Sequence, residues 1–196
     1  MKRWILFFAV LSAAIMATAA ALQMEQQTLA GKMVRLHVVA NSNSAEDQAI
    51  KLQVRDAVLE IADGLDETQL RHHIPQIREA ARNCLREQGN SSTVDVTLLQ
   101  ERFPTRVYDT FSLPAGVYTA LRVTIGCGEG ENWWCVAFPS ICFRATAEDL
   151  VAAAAAAGFT EEELGLICGT KEYVLKFKAM ELVEQLKRTL FLSDKK

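Results

Sequence analysis

Nineteen consecutive residues without a charge, Trp4 to Leu22, follow Lys2 and Arg3 at the start of the chain, and they limit the remainder more than any other feature. A positive n-region ahead of such a run is the pattern of an export signal. Ala17-Thr18-Ala19 and Ala19-Ala20-Ala21 both offer the small residues a signal peptidase requires. The run is also just long enough to cross a bilayer, for which about 20 apolar residues suffice. Its Ala-rich second half lowers its affinity for hydrocarbon and favours cleavage. Under either reading Lys2 and Arg3 hold the N-terminus inside and the remainder is exported. Membrane contact is expected only through residues 4–22, before cleavage.

The sequence divides into this leader (residues 1–22), a polar connector (23–32), one domain (33–192) and a polar tail (193–196). Of 196 residues half are apolar and 23% charged, enough for one core and too apolar for a disordered chain. Net charge is −3, and losing Lys2 and Arg3 makes the remainder more acidic. With no Lys/Arg cluster, a nucleic-acid surface has no footprint.

Val34, Leu36 and Val38 alternate with Arg35, His37 and Val39, the period of a half-buried strand, and Asn41-Ser42-Asn43-Ser44 stops it. Ser44 with Asp47 then caps a helix marked by Ile50, Val54, Ala57, Val58 and Ile61 and ended by Gly64. Asp47 and Lys51 are expected to pair on it. A second helix runs from about Thr68 to Glu87, with Pro75 either kinking it or standing at its start. The period becomes two from Thr93 and again from Tyr118 to Ile125. Gly126-Cys127-Gly128-Glu129-Gly130-Glu131-Asn132 then leads to the aromatic segment Trp133–Phe138, predicting a hairpin with a long, mobile tip. Thr146/Asp149 and Thr160/Glu163 cap two helices, and a last one is expected over 172–190. The fold class is α+β: a single-domain sandwich with a small, mostly antiparallel sheet and a long hairpin packed by several helices.

The glycine-rich tip invites a phosphate-loop reading, but it holds Glu129 and Glu131 and feeds a strand rather than a helix N-terminus. His37 and Cys135 suggest a hydrolase pair, which requires hydrogen-bond reach and a third, orienting group; nothing local supports it, and a structural histidine is expected. Cys84, Cys127, Cys135, Cys142 and Cys168 are an odd set outside the cytoplasm, and Cys135 with Cys142 is a candidate disulfide around Pro139. No Cys-x-x-Cys spacing supports zinc, and no cofactor is expected. Trp133 and Trp134 are adjacent, so a strand turns one indole inward and the other outward, where it is a candidate interface anchor.

Several segments resemble the stage II sporulation protein R family. They include Val34-Arg35-Leu36-His37-Val38-Val39-Ala40-Asn41-Ser42, Lys51-Leu52-Gln53-Val54-Arg55-Asp56, Leu113-Pro114-Ala115-Gly116, Ala120-Leu121-Arg122-Val123, and Asn132-Trp133-Trp134-Cys135-Val136-Ala137-Phe138-Pro139 continuing through Phe143. Phe177-Lys178 with Glu181 also fits. The resemblance implies a non-enzymatic signal made in the forespore and exported into the space between forespore and mother cell. Its partner there is a membrane-embedded aspartic protease, the stage II sporulation GA protein, which processes the precursor of sigma factor E. The expected contact comprises Trp133, Trp134, Glu129, Glu131, Asn132, His37 and Asn41. The rival reading is an exported Cys/His hydrolase using His37 and Cys135.

Overall fold

The structure, a computed structural model, describes residues 2–141 and 146–168. It is α+β in one domain. In order come helix α1 (Lys2–Gly31), strand β1 (Val34–Val39), helices α2 (Ala45–Ala62) and α3 (Glu67–Glu87), and strand β2 (Val94–Phe103). The short strands β3 (Arg106–Val107) and β4 (Ser112–Leu113) follow, then β5 (Gly116–Ile125), β6 (Asn132–Phe138), α4 (Ala147–Ala156) and α5 (Glu161–Cys168). The helix expected over 172–190 lies outside the described residues.

The main sheet has the order β2-β5-β1-β6. β1 runs parallel to β5 and antiparallel to β6, and β2 is antiparallel to β5. This corrects the expected hairpin: β5 and β6 are consecutive but do not pair, because β1 lies between them. It also corrects the half-buried reading of β1, since all six of its residues are buried. A strand covered on both faces and both edges places Arg35 and His37, its polar residues, inside the protein.

Alternation sorts the sheet into two faces. One carries Val34, Leu36, Val38, Val94, Val96, Leu121, Val123, Ile125, Cys135 and Ala137, covered by α2 and α3. Each fully buried Val or Leu there contributes about 1.5–3 kcal/mol. Ile50, Val54 and Val58 of α2 and Leu70, Ile77, Ala81 and Leu85 of α3 meet this face at helical spacing. Both helices start on side-chain caps: Ser44 accepts from the Asp47 amide, and Asp66 and Gln69 form a reciprocal box. Pro75 sits inside α3, which begins eight residues earlier at Glu67. Gly64 (φ 76°) lets the chain leave α2 in the left-handed region.

The second face is shared. Phe103, Tyr118, Ala120 and Val136 pack under the end of α1, the β3–β4 ribbon, α4 and α5. The segment expected as a connector is helical through Gly31, and its last turns belong to the core. Leu29, Ala30 and Met33 are buried, Gln26 lies against Gly116, and Lys32 pairs with Glu163 at 2.7 Å. The apolar part of α1 is exposed from Trp4 to Met16, and this helix is long and apolar enough to cross a membrane. Both candidate cleavage sites lie N-terminal to the packed turns.

Leu29→Ala should cost about 2–5 kcal/mol in urea unfolding. A connector outside the fold would tolerate it within a few tenths. Burial pushes the Tyr118 phenol up to about 12, against the opposing influence of Arg35. Its folded pKa exceeds the unfolded value near 10, so its stabilising contribution is complete below pH 10 and is lost as pH rises toward 12. Tyrosinate absorbance should show one late-titrating tyrosine, and Tyr118→Phe should remove that step.

Candidate functional site

The glycine-rich tip is clamped rather than mobile. Asn41, at the end of β1, accepts the Cys127 amide on Oδ1 at 3.0 Å and donates from Nδ2 to Asp47 at 3.0 Å. Its backbone carbonyl receives the Glu129 amide, and the carbonyl of Ala40 receives that of Gly130. Asn43 Oδ1 takes the Glu131 amide at 2.7 Å, and Lys51 of α2 donates to the Glu131 carbonyl at 3.0 Å. The amides of Gly126 and Gly128 go to the carbonyls of Thr93 and Ile125. Every amide from Gly126 to Glu131 thus has a partner, which closes the phosphate-cradle reading: these donors are spent on the protein itself.

Close approach explains two of the glycines. A Cβ on Gly130 would stand 2.3 Å from the backbone oxygen of Ser42. Gly126 adopts φ +56°, and a Cβ there would meet Asn41 Oδ1 at 2.1 Å. Asp47 also departs from expectation, bonding to Ser42 and Asn41, while Lys51 turns to Gln48 and the tip. Hydrogen bonds from Ser42 and Asn41 hold the Asp47 carboxyl below its ordinary range. The side chains of Glu129 and Glu131 are exposed.

His37 occupies the second face of the sheet, 4% exposed. Its Nδ1 lies 3.0 Å from both carboxylate oxygens of Glu101, and its Nε2 lies 3.0 Å from Asn132 Oδ1. The ring stacks on Trp134 with centroids 4.0 Å apart and 11° between planes. Arg122 adds a 3.3 Å contact to Glu101. Cys135 is elsewhere. It stands opposite Leu36 in the β1–β6 register, on the helix-covered face, whereas His37 stands opposite Trp134. The two side chains project from opposite sides of the sheet, which overturns the Cys/His hydrolase pair and leaves His37 as a structural histidine that fixes Asn132 and Trp134.

Alternation separates the tryptophans. Trp134 is part-buried against His37, Phe103 (centroids 4.8 Å apart) and Arg106, whose guanidinium lies 5.3 Å from the ring. Trp133 points the other way, 37% exposed, with the Arg55 guanidinium 4.3 Å from its centroid. Arg55 is held in turn by Asp56 at 2.7 Å. A cation over an exposed indole contributes about 0.5–1 kcal/mol and orients the ring. Leu52, one turn before Asp56 on the outer surface of α2, is equally exposed.

Glu129, Glu131, Asn132 and Trp133 therefore present exposed side chains along the tip and the start of β6, while Asn41, His37 and Trp134 support them from behind. Glu101, Arg122, Arg106 and Arg55 are further members that the sequence did not announce, since strand register and helix docking alone bring them here. Cys84, Cys127 and Cys168 are free thiols. The proposed partner of Cys135, Cys142, lies outside the described residues. Gly130→Ala should destabilise the domain by about 1–3 kcal/mol, the usual cost of forcing atoms into filled space. Amide exchange at Glu129 and Glu131 should accelerate more than exchange in α3; uniform acceleration would mean that the clamp is not a local unit.

Among solved structures none matches this chain. A family profile described as Stage II sporulation protein R matches residues 30–148. Stage II sporulation protein R of Bacillus subtilis (strain 168) is 35% identical over 119 residues, which cover 56% of this chain and 53% of the relative. The chain thus spans about half the length of that relative. The match runs from the buried end of α1 through the clamp, the tip and β6 to the start of α4. With more than half of its residues in that profile, the chain belongs to the stage II sporulation protein R family.

Proposed function

We propose that this chain is an exported signal of endospore formation that activates a membrane-embedded aspartic protease of the stage II sporulation GA type, so that the mother-cell sigma factor E precursor is processed. Membership in a sporulation family supports the sporulation role, and the observation that carries the reading is the extent of the match. Residues 30–148 contain the whole clamp, the tip and both tryptophans. The apolar start of α1 supports export into the space between forespore and mother cell. Cleavage after Ala19 or Ala21 releases a domain whose first packed residues, from Gln26 onward, stay intact.

In this reading activation is a binding event. Trp133 is the anchor, because an exposed indole held at a fixed angle by Arg55 buries a large apolar area with little further loss of side-chain freedom. Glu129, Glu131 and Asn132 form the polar rim. Buried His37 and clamped Asn41 act as positioning residues rather than contacts. A Cys135–Cys142 disulfide fastens the middle of β6 to the segment after the strand.

The test is co-expression of precursor, protease and the full chain in a non-sporulating host. Trp133→Ala should lower precursor cleavage at least tenfold, equivalent to about 1.4 kcal/mol of binding, while its melting temperature stays near the parent's. A folded Trp133→Ala variant that triggers cleavage like the parent would sink the interface assignment. Trp134→Ala should reduce both cleavage and stability, since that indole supports His37 and Phe103. Mass spectrometry of the released chain should place its N-terminus before Gln26.

A further inference from the structure

A buried guanidinium beneath the β3–β4 ribbon has no acidic partner among the described residues. Arg35 is fully buried, its Nε donating to the Cys135 carbonyl at 3.0 Å and its Nη2 to the Tyr108 hydroxyl at 2.9 Å. Phe103 and Tyr118 lie over the guanidinium, with ring centroids 4.4 and 5.2 Å away. Its Nη1 is buried without an acceptor. Arg106, on the ribbon, lies within electrostatic reach of Arg35, and its Nε is also buried without an acceptor. Ser112, on the partner strand of the ribbon, has a buried hydroxyl in the same condition. Three of the five unpartnered buried side-chain atoms among the described residues thus fall in Arg35 and this small ribbon.

Each of these groups can donate a hydrogen bond, two carry positive charge, and like charges repel when desolvated. Burial holds the Arg35 guanidinium below its ordinary range; the nearby tyrosines oppose the shift and Arg106 adds to it. Contacts with ring faces offset part of this cost but leave Nη1 of Arg35 and Nε of Arg106 unanswered. With Nε held by the Cys135 carbonyl, the side of the guanidinium left for a ligand is the edge of Nη1 and the Tyr108-bonded Nη2, which matches the two coplanar oxygens of a carboxylate.

We propose that Arg35 and Arg106 form a carboxylate-binding site under the β3–β4 ribbon, with Tyr108 as its door. The ribbon is light enough to open: it has two residue pairs, Arg106 with Leu113 and Val107 with Ser112, fastened by the Tyr108 amide to the Phe111 carbonyl at 2.8 Å. Tyr108 is only partly buried, and its hydroxyl, shared between Arg35 and the Trp134 carbonyl, is the group an incoming carboxylate displaces. Phe103 contacts both the Arg35 guanidinium and Trp134, so occupancy would be felt at β6. The carboxylate comes either from a small free acid or from an acidic side chain of a partner protein. The inference does not depend on the activator reading.

The test uses the full chain in detergent micelles, labelled at arginine for NMR. It is titrated with sodium acetate and, separately, with a blocked peptide containing one glutamate, against sodium chloride at equal ionic strength. The Nε–Hε signals of Arg35 and Arg106 should shift saturably with at least one carboxylate probe. Response to acetate identifies a free acid as sufficient; response to the peptide alone identifies a protein side chain. Arg35→Met should abolish saturation in a chain that keeps the parent's near-ultraviolet circular dichroism, because Met fills similar apolar space. Should that variant fail to fold, Arg106→Gln, at a part-exposed position, should weaken apparent affinity at least tenfold. Linear shifts with both probes, shifts equal to those in chloride, or undiminished saturation in either folded variant would overturn the site.

Discussion

Burial of β1 between β5 and β6 is the constraint on which the remaining arrangement depends. Six residues sealed on both faces and both edges put Leu36 and Val38 under α2 and α3, and Arg35 and His37 into the opposite layer. An arginine and a histidine in such a strand require partners, and those partners organise the second face. Tyr108 and the Cys135 carbonyl answer Arg35, while Glu101 and Asn132 answer His37. The polar content of one strand thereby dictates where the ribbon folds over and how the start of β6 is held.

The end of β1 extends the same logic. Ala40, Asn41 and Asn43 leave the strand as a row of acceptors, and the amides between β5 and β6 fill them. A connection that would be loose in a hairpin must here pass across the end of β1 to reach the far edge of the sheet. Glycine is required at Gly130 because the two backbones nearly touch. The tip is therefore a hydrogen-bonded platform carrying Glu129, Glu131 and Asn132 beside Trp133.

Helix α1 joins two environments in one rod. Its apolar start is exposed and long enough for a bilayer, and its last turns are core. Leu29, Ala30 and Met33 belong to the same hydrophobic cluster as Tyr118 and Phe159, and Gln26 lies against Gly116. A leader removed anywhere before Gln26 leaves the domain a complete first helix turn.

The sequence by itself determined the local structure: the long apolar start of the chain, the caps at Ser44, Thr146 and Thr160, the alternation of β1, β2 and β5, and the opposite orientation of Trp133 and Trp134. These follow from periodicity and from side chains that bond to their own backbone within a few residues. It could not show that β1 enters between β5 and β6, because strand order depends on pairings some hundred residues apart and consecutive strands are the natural first guess. Everything that rests on that order was hidden with it: the clamp on the tip, the separation of His37 from Cys135, and the burial of Arg35 against Tyr108. Only the tertiary structure decides such contacts, since they depend on which strand faces lie together, and a polar residue in an alternating pattern reads as solvent-facing until its second layer is known.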